Sequence, residues 1–289
     1  KNVNEVCRQY GTKALLIGGK LALEAGKEKL LQALAEGENP VTIVDTVLFG
    51  EDCTYAGMEK IAAHVKKCGA DMIFGMGGGK ALDTAKGTAE KCALPVFTFP
   101  TIAATCAATT ALSVVYKEDG NFDSFYFFEK PARHSFIDTQ IIAEAPEKYL
   151  RAGMGDTLGK YFECHFSARG DRLTHSSALG REISNMCYLP LREYAESALE
   201  ECRKHQAGEA LEQAVLANIV STGLVSLLVL DDYNGAIAHS VYYGLVLLPG
   251  FEEKNLHGDV VAYGVLVQLM IDGEEEKARE MKGFLEKLG

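Results

Sequence analysis

A short apolar run, three consecutive glycines and a helical pattern follow one another within residues 70–86, and this stretch constrains the fold most. The apolar run is bounded by glycine, as is typical of a buried parallel strand, and the apolar residues of 81–85 share one face of a helix. The glycines at 77–79 leave room for an anion to approach the backbone at the positive end of that helix. The stretch therefore predicts a phosphate cradle, although the same glycines could serve only a tight turn.

Two common phosphate motifs are excluded by position. A P-loop requires glycine five residues before its Gly-Lys pair and serine or threonine after it, whereas Phe74 and Ala81 occupy those places. A Rossmann fingerprint that starts at Gly75 requires a third glycine where Lys80 stands, and it normally follows the first strand of its domain. The stretch follows a later strand, so we expect a cradle of another type.

Strand and helix patterns alternate through the first half of the chain. The strand patterns lie at 13–18, 41–44, 71–75, 95–99 and 135–138, with a hairpin pattern at 112–128. Strands that alternate with helices at this pitch predict a parallel sheet covered on both faces, with ligands beyond the carboxyl ends of the strands. After Pro146 only helical patterns follow. We therefore predict an α/β domain with a Rossmann-like parallel sheet at 1–146 and an all-α domain at 147–289.

Charge and cysteine usage limit the class of partner. The chain has 289 residues, a net charge of -11 and a pI near 5.2. These values argue against nucleic acid or an anionic membrane surface as partner, because no basic cluster could replace counterions. We also expect no apolar run long enough to span a bilayer. The eight cysteines show no Cys-x-x-Cys or zinc-ribbon spacing, so we expect reduced thiols in a cytoplasmic protein.

Asp156, His239 and His257 are candidate metal ligands, since metal catalysis needs a few protein ligands and one open coordination position. Each has a structural alternative. Asp156 could cap a helix, His239 could be a hydrogen-bonded core histidine, and His257 could be an ordinary loop residue. No local spacing rule joins the three, so the residues alone leave both interpretations open.

The segments 75–86 (GMGGGKALDTAK) and 100–105 (PTIAAT) resemble the nucleotide-binding signature of the iron-containing (group III) alcohol dehydrogenase family, in its glycerol dehydrogenase branch. The similarity extends over nearly the whole chain. It implies the fold that this family shares with dehydroquinate synthase, with dinucleotide binding by 1–146 and metal and substrate binding by 147–289. Family members begin with a further strand and end with further helices, so we expect both ends of the chain to be incomplete.

The resemblance implies NAD or NADP as cofactor. The positions that match the family's cofactor-binding residues are Gly77, Gly78, Gly79, Lys80, Asp83, Thr101, Thr105, Thr110, Leu112, Val114 and Tyr116. One departure concerns the ribose, because NAD-preferring members often carry an acidic residue after the first strand, where this chain has Gly18-Gly19-Lys20. Lys20 could meet a 2′-phosphate, so the choice between NAD and NADP stays open.

The resemblance also implies that Asp156, His239 and His257 together hold a catalytic divalent metal. One aspartate and two histidines suit Fe(II) or Zn(II), and the sequence does not choose between them. The implied reaction passes hydride between the nicotinamide and a small polyol, alcohol or 2-oxo acid bound to the metal, without a separate protein nucleophile.

Cys106 and Lys160 are the candidate substrate residues. Glycerol-oxidising members carry an aspartate at the position of Cys106, and a thiol is a poor hydrogen-bond acceptor for a polyol. Lys160 lies one helical turn beyond Asp156 and on the same face. It could instead be a solvated lysine paired with Glu163 or Glu147. Both features resemble the hydroxycarboxylate dehydrogenase branch, which implies that Lys160 binds the carboxylate of a 2-oxo acid.

Two other classes stay open. A lyase similar to dehydroquinate synthase would share the fold and a metal site but needs a basic pocket for a phosphorylated substrate, and the Gly-Lys-x-x-Asp-Thr-Ala-Lys string favours the dehydrogenases. A non-catalytic nucleotide-binding protein would not need Asp156, His239 and His257 together. In each case we expect a homo-oligomer that binds a small molecule.

Overall fold

The computed structural model describes residues 3–37 and 39–289. The chain divides into two compact units. Unit 1 comprises Lys1–Ile102 and Ala107–Ile141, and unit 2 comprises Ala103–Cys106 and Ile142–Gly289. The predicted order, an α/β region with a parallel sheet followed by helices, is confirmed.

Unit 1 contains the strands and the first four helices. The strands are β1 (Lys13–Gly18), β2 (Thr42–Leu48), β3 (Met72–Gly77), β4 (Val96–Pro100), β5 (Leu112–Tyr116), β6 (Phe122–Phe127) and β7 (His134–Ser135). The helices are α1 (Val3–Cys7), α2 (Lys20–Ala35), α3 (Tyr55–Cys68) and α4 (Gly79–Cys92). The apolar runs locate β1 to β4, and β3 extends to Gly77 and so includes the first glycine of the cradle. The strand predicted at 135–138 overlaps the short β7 only at Ser135.

Five strands form a parallel sheet in the order β2-β1-β3-β4-β7, while β5 and β6 pair as a separate antiparallel hairpin. Side chains of β1 and β3 are buried on both faces, because helices cover each side. The chain passes from β1 to β2 on one side and then returns to β3 on the other. This reversal places a topological switch point between β1 and β3, where ligands of such sheets bind.

Helix α5 (Thr139–Glu144) spans the division, and the described part of unit 2 contains no strand. The further helices are α6 (Glu147–Ser167), α7 (His175–Ile183), α8 (Leu189–Arg203), α9 (Glu209–Leu216), α10 (Thr222–Leu228), α11 (Ile237–Leu245), α12 (Phe251–Lys254), α13 (His257–Ile271) and α14 (Glu275–Leu288). A π-helical segment, Ala217–Ser221, joins α9 to α10.

The stretch Glu209–Leu228 is continuous helix, and its length and composition would allow it to cross a membrane. The expectation that no such run exists is therefore wrong. Half of its apolar window is buried inside the protein, and the buried Asn218 donates hydrogen bonds to the carbonyls of Ala103 and Leu150. This burial and these hydrogen bonds are features of a core helix of unit 2. Core helices can meet the same criterion of length and composition as membrane spans.

Candidate metal and cofactor sites

Helices α6 and α13 approach each other closely because glycines lie at their contact. A Cβ atom on Gly155 would lie 2.2 Å from the carbonyl oxygen of Gly258, and a Cβ on Gly258 would lie 1.7 Å from that of Ala152. A Cβ at such separations would force the two helices apart, so this close packing requires glycine at both positions. The close approach brings Asp156 of α6 next to His257, the first residue of α13.

Asp156, His239 and His257 meet within unit 2. Asp156 Oδ1 lies 3.5 Å from His239 Nε2 and 3.4 Å from His257 Nε2, and the three potential ligand atoms lie within 4.8 Å of one another. Two ligand atoms at about 2.1 Å from a tetrahedral metal are about 3.4 Å apart. The donor set and these separations therefore fit Zn(II) or Fe(II), with one coordination position left for substrate. In the described ranges no other His, Cys, Asp or Glu cluster meets this criterion.

The carboxylates around His239 favour its charged form. Burial opposes the imidazolium, but hydrogen bonding to Asp156 and Glu163 outweighs burial and raises the pKa of His239 to about 9. Burial likewise opposes ionisation of Asp156, but His239 and His257 hold the pKa of its carboxyl well below the usual range. A metal that took these ligands would compete with a proton for His239.

Glu163 is a site residue that the sequence analysis missed. Its carboxylate is fully buried, accepts hydrogen bonds from the backbone N–H groups of Ala236 (2.7 Å) and His239 (2.8 Å), and contacts His239 Nδ1. Glu163 follows Asp156 by seven residues on the same face of α6. That spacing was the available signal, since residues at i and i+7 share a helix face.

Lys160 is buried between these two acidic residues on α6, with 8% of its surface exposed. Its Nζ donates to the carbonyl oxygen of Asn234 (2.8 Å) and to Asn234 Oδ1 (3.2 Å). The alternative of a solvated lysine paired with Glu163 or Glu147 is wrong, because Glu163 contacts His239 and Glu147 pairs with Arg203. Among the side chains that the structure describes, no carboxylate oxygen lies within 4.0 Å of the Lys160 ammonium.

The loop Ala103–Cys106, which carries Thr105 and Cys106, belongs to unit 2. Asn218 Nδ2 donates to the carbonyl oxygen of Ala103 at 3.0 Å, and Thr157 Oγ1 donates to Asn218 Oδ1 at 3.0 Å. A Cβ on Gly153 would lie 1.8 Å from the same carbonyl oxygen, so the loop packs directly on α6. Cys106 is therefore fixed to the unit that carries the three candidate metal ligands.

In unit 1, β3 ends at Gly77 and α4 begins at Gly79, with Gly78 as its N-cap. Gly77 has a φ of +148°, and a Cβ there would lie 2.9 Å from Ala81 Cβ, so the fold itself requires this glycine. At Gly78 a Cβ would meet only the movable end of Ile102, at 2.7 Å. The turn therefore accounts fully for the need for glycine at position 77, but only in part for the need for glycine at position 78.

The carboxyl ends of β1, β3 and β4 lie side by side, which groups the predicted cofactor loops of unit 1. The Thr101 N–H donates to the carbonyl oxygen of Gly77 at 3.1 Å, directly after β4. β1 ends at Gly18, and Lys20 is exposed at the start of α2. Lys20 and the glycines of β3 thus flank the switch point where a dinucleotide binds in sheets of this type.

The hairpin presents the other predicted cofactor residues. Leu112, Val114 and Tyr116 are partly exposed on one face of β5, while the residues between them are buried on the opposite face. Lys80 Nζ contacts Asp52 Oδ1 and lies 4.8 Å from the centroid of the Tyr116 ring. Lys80 therefore connects the start of α4 with the exposed face of the hairpin.

Asp83 and Thr110 interact with a buried lysine. Asp83 Oδ1 lies 2.9 Å from Lys86 Nζ, and Asp83 Oδ2 accepts the Val114 N–H at 3.0 Å. Lys86 Nζ also donates to Thr110 Oγ1 at 3.0 Å and to the Leu112 carbonyl. These contacts fix β5 on α4, and a direct contact of Asp83 or Thr110 with the cofactor stays a prediction.

Comparison with known proteins agrees with these features. The sequence profile of a family described as iron-containing alcohol dehydrogenase matches residues 1–138. Glycolaldehyde reductase of Halobacterium salinarum is 31% identical over 284 residues, which cover 96% of this chain and 76% of that protein. Hydroxycarboxylate dehydrogenase A of Escherichia coli (strain K12) is 34% identical over 275 residues, which cover 94% of this chain and 74% of that protein. The crystal structure of glycerol dehydrogenase from Schizosaccharomyces pombe matches with a TM-score of 0.86 at 30% identity, covering 98% of this chain and 71% of that chain. The chain therefore belongs to the iron-containing alcohol dehydrogenase family.

Proposed function

We propose that this member of the family preferentially interconverts short 2-oxo acids and 2-hydroxy acids. As an iron-containing alcohol dehydrogenase, the chain is an oxidoreductase that uses NAD(P) and a divalent metal to transfer hydride to or from a small alcohol or carbonyl compound. The relatives are dehydrogenases and reductases, so neither the lyase nor the non-catalytic alternative is supported. The substrate class and the residues that select it are what we propose.

Asp156, His239 and His257 are the proposed metal ligands. When bound, the metal polarises the substrate oxygen and stabilises the negative charge that develops on it during hydride transfer. The protein's part is to hold the three donors at separations that fit the metal and to leave one side open to substrate. Residues 1–146 are the proposed dinucleotide-binding domain, and residues 147–289 are the proposed helical domain that binds metal and substrate.

Lys160 is the single observation that carries the substrate proposal. A buried ammonium group needs compensating contacts, and Asn234 provides two neutral acceptors at 2.8 and 3.2 Å. The ammonium has a third N–H group and no carboxylate partner in the described part of the chain. A substrate carboxylate would supply the missing negative charge, one helical turn from the candidate ligand Asp156.

Cys106 supports the same substrate class from a second position. The thiol is a weak hydrogen-bond acceptor and gives a polyol hydroxyl little to bind. The likeness to hydroxycarboxylate dehydrogenase A also favours a 2-oxo acid, whereas the structural likeness to glycerol dehydrogenase favours polyol oxidation as the second candidate.

The proposed cofactor site lies in unit 1, with the phosphates at the start of α4 beside Gly78 and the nicotinamide beside the exposed face of β5. Free backbone N–H groups in the first turn of α4 and the helix dipole would bind the pyrophosphate. Lys20 is proposed to allow NADP binding by forming an ion pair with the 2′-phosphate. Titration of the protein with NADH and with NADPH compares the two directly.

The substrate proposal is tested by initial rates with Zn(II) or Fe(II) present. Reduction of 2-oxobutanoate and 2-oxoglutarate is expected to exceed oxidation of glycerol. Lys160→Ala should raise KM for both 2-oxo acids by about 10-fold or more, since it removes a charge-assisted hydrogen bond, and should change KM for glycolaldehyde little. Lys148→Ala, an exposed lysine on the same helix, is the matched control and should leave every rate unchanged. Efficient glycerol turnover without activity on 2-oxo acids would contradict the proposal.

The proposed assembly is a cytoplasmic homo-oligomer without nucleic acid or membrane partners. None of the eight cysteines forms a disulfide, which suits a reducing compartment. Light scattering on the purified protein measures its oligomeric state.

A further inference from the structure

Glu163 contacts two backbone N–H groups and one ring nitrogen at the start of α11. One carboxylate oxygen, Oε1, accepts the backbone N–H of Ala236 at 2.7 Å and that of His239 at 2.8 Å. The other oxygen, Oε2, contacts His239 Nδ1. The carboxylate is fully buried, so all three contacts lie away from solvent. One side chain of α6 therefore holds both the backbone and the ring of the same histidine.

The contact at Nδ1 determines which ring nitrogen of His239 can bind a metal. A carboxylate accepts hydrogen bonds and does not donate them, so the proton of the neutral imidazole stays on Nδ1. Nε2 then keeps its lone pair, and Nε2 is the atom that lies 3.5 Å from Asp156 Oδ1. The tautomer fixed by Glu163 is thus the one that presents a ligand atom to the candidate metal site.

The contact at Oε1 holds the first turn of α11. The N-cap residue Ala236 has no side chain that could accept the free N–H groups of this turn. Glu163 replaces the missing cap from another helix and binds the N–H of His239 itself, at the third position of α11. The position of His239 along the helix and the rotation of its ring therefore depend on the same carboxylate.

We propose that Glu163 is a positioning residue that sets the tautomer and orientation of His239 for metal binding. This inference rests on the proposed metal site. Glu163 acts through His239 and does not itself belong to the ligand set. Oε1 holds the backbone at the start of α11 and Oε2 holds the His239 ring, and both contacts require a hydrogen-bond acceptor.

The substitution Glu163→Gln separates this role from simple packing. Glutamine has the same shape, but only its amide oxygen accepts hydrogen bonds. If that oxygen faces the backbone N–H groups, the amide NH2 donates to Nδ1 and moves the ring proton to Nε2. If the oxygen faces Nδ1, the NH2 group meets two backbone donors. Either arrangement impairs the metal-binding form of His239.

Zinc affinity of the full chain is measured by competition with a chromogenic chelator. Glu163→Gln is expected to weaken zinc binding about 10- to 100-fold, the usual range for lost partners of ligating histidines. Glu147→Gln makes the same chemical change at a surface ion pair of the same helix, and should leave zinc affinity unchanged. NADH titration of both variants reports on the fold of unit 1 and should not change.

A second measurement needs no variant of Glu163. In zinc-loaded wild-type protein labelled with 15N-histidine, the His239 ring should carry its proton on Nδ1 and bind zinc through Nε2, with His239→Ala identifying the signal. A proton on Nε2, or wild-type zinc affinity in Glu163→Gln, overturns the inference while leaving the metal site intact. If wild-type protein binds zinc no better than Asp156→Asn, the proposed metal site fails and the inference fails with it.

Discussion

Two buried lysines, Lys86 and Lys160, differ in how their charge is compensated. Lys86 pairs with the carboxylate of Asp83 and donates to Thr110 and to the Leu112 carbonyl, so its contacts join α4 to β5 within the fold. Lys160 has only the neutral oxygens of Asn234 as hydrogen-bond partners among the described residues. A compensated cation indicates a structural role, whereas a cation without an anion indicates a site for an anionic ligand.

Replacement of Lys86 should be strongly destabilising. In Lys86→Met the Asp83 carboxylate stays buried without its cation, and removal of one partner of a buried ion pair costs roughly 3–5 kcal/mol. Affinity for NADH should fall as well, because the same lysine fixes the strand that carries Leu112 and Val114. Urea unfolding followed by circular dichroism, together with NADH titration, measures both effects.

Lys91→Met is the matched control for this prediction. Lys91 lies on the same helix and pairs with Glu59, but at the surface, where an ion pair contributes about 1 kcal/mol or less. Equal effects of the two substitutions would show that the Asp83–Lys86 pair contributes no more than a surface pair.

At the residue scale the sequence predicts neighbours along one helix but not partners from other helices. The spacing of Asp156 and Lys160 places them on one face of α6, as the structure shows. It does not show that Glu163 is buried, because its partners Ala236 and His239 come from α11, far along the chain. Helical periodicity contains no information on contacts of that range.

At the element scale, helix packing explains the glycines beside the candidate ligands. The resemblance pointed to Asp156 and His257 as ligands but gave no reason for the glycine beside each of them. The structure supplies it, since Gly155 and Gly258 lie where α6 and α13 touch. Strands β1, β3 and β4, by contrast, were predictable from local apolar runs, because burial on both faces leaves a continuous local signal.

Gly258→Ala should disrupt the metal site without changing any proposed ligand. Its Cβ would lie 1.7 Å from the carbonyl oxygen of Ala152, so α6 and α13 must move apart. Overpacking costs about 1–3 kcal/mol even where side chains can yield, and backbone yields less, so we expect a loss of about 3 kcal/mol or more. Zinc affinity should fall together with the urea midpoint, because Asp156 and His257 separate.

Gly283→Ala provides the comparison on α14. A Cβ there meets no atom within 4 Å, so the substitution should stabilise the helix by up to about 1 kcal/mol and leave zinc affinity unchanged. Wild-type zinc binding in Gly258→Ala would show that close packing of α6 and α13 does not position the ligands.

At the scale of the whole molecule, the candidate sites divide between the two units. The cradle, Thr101, Thr110 and the β5 residues belong to unit 1, whereas the three candidate metal ligands and Lys160 belong to unit 2. The alternation of strands and helices predicted this order of architectures. It did not predict that the loop Ala103–Cys106 belongs to unit 2, because that assignment results from contacts with Asn218 and Gly153, which lie far along the chain.

This division predicts that metal removal separates binding from catalysis. After exhaustive chelation, turnover should fall below detection, because the metal supplies the stabilisation of the charge that develops on the substrate oxygen. NADH affinity should stay within about twofold of the untreated protein, since the proposed metal ligands and the proposed phosphate cradle belong to different units. Zn(II) or Fe(II) added back should restore turnover, and His257→Ala should reproduce the chelated state without a chelator. Full turnover of His257→Ala after chelation would refute the metal assignment, whereas loss of NADH binding on chelation would show that the two sites depend on each other.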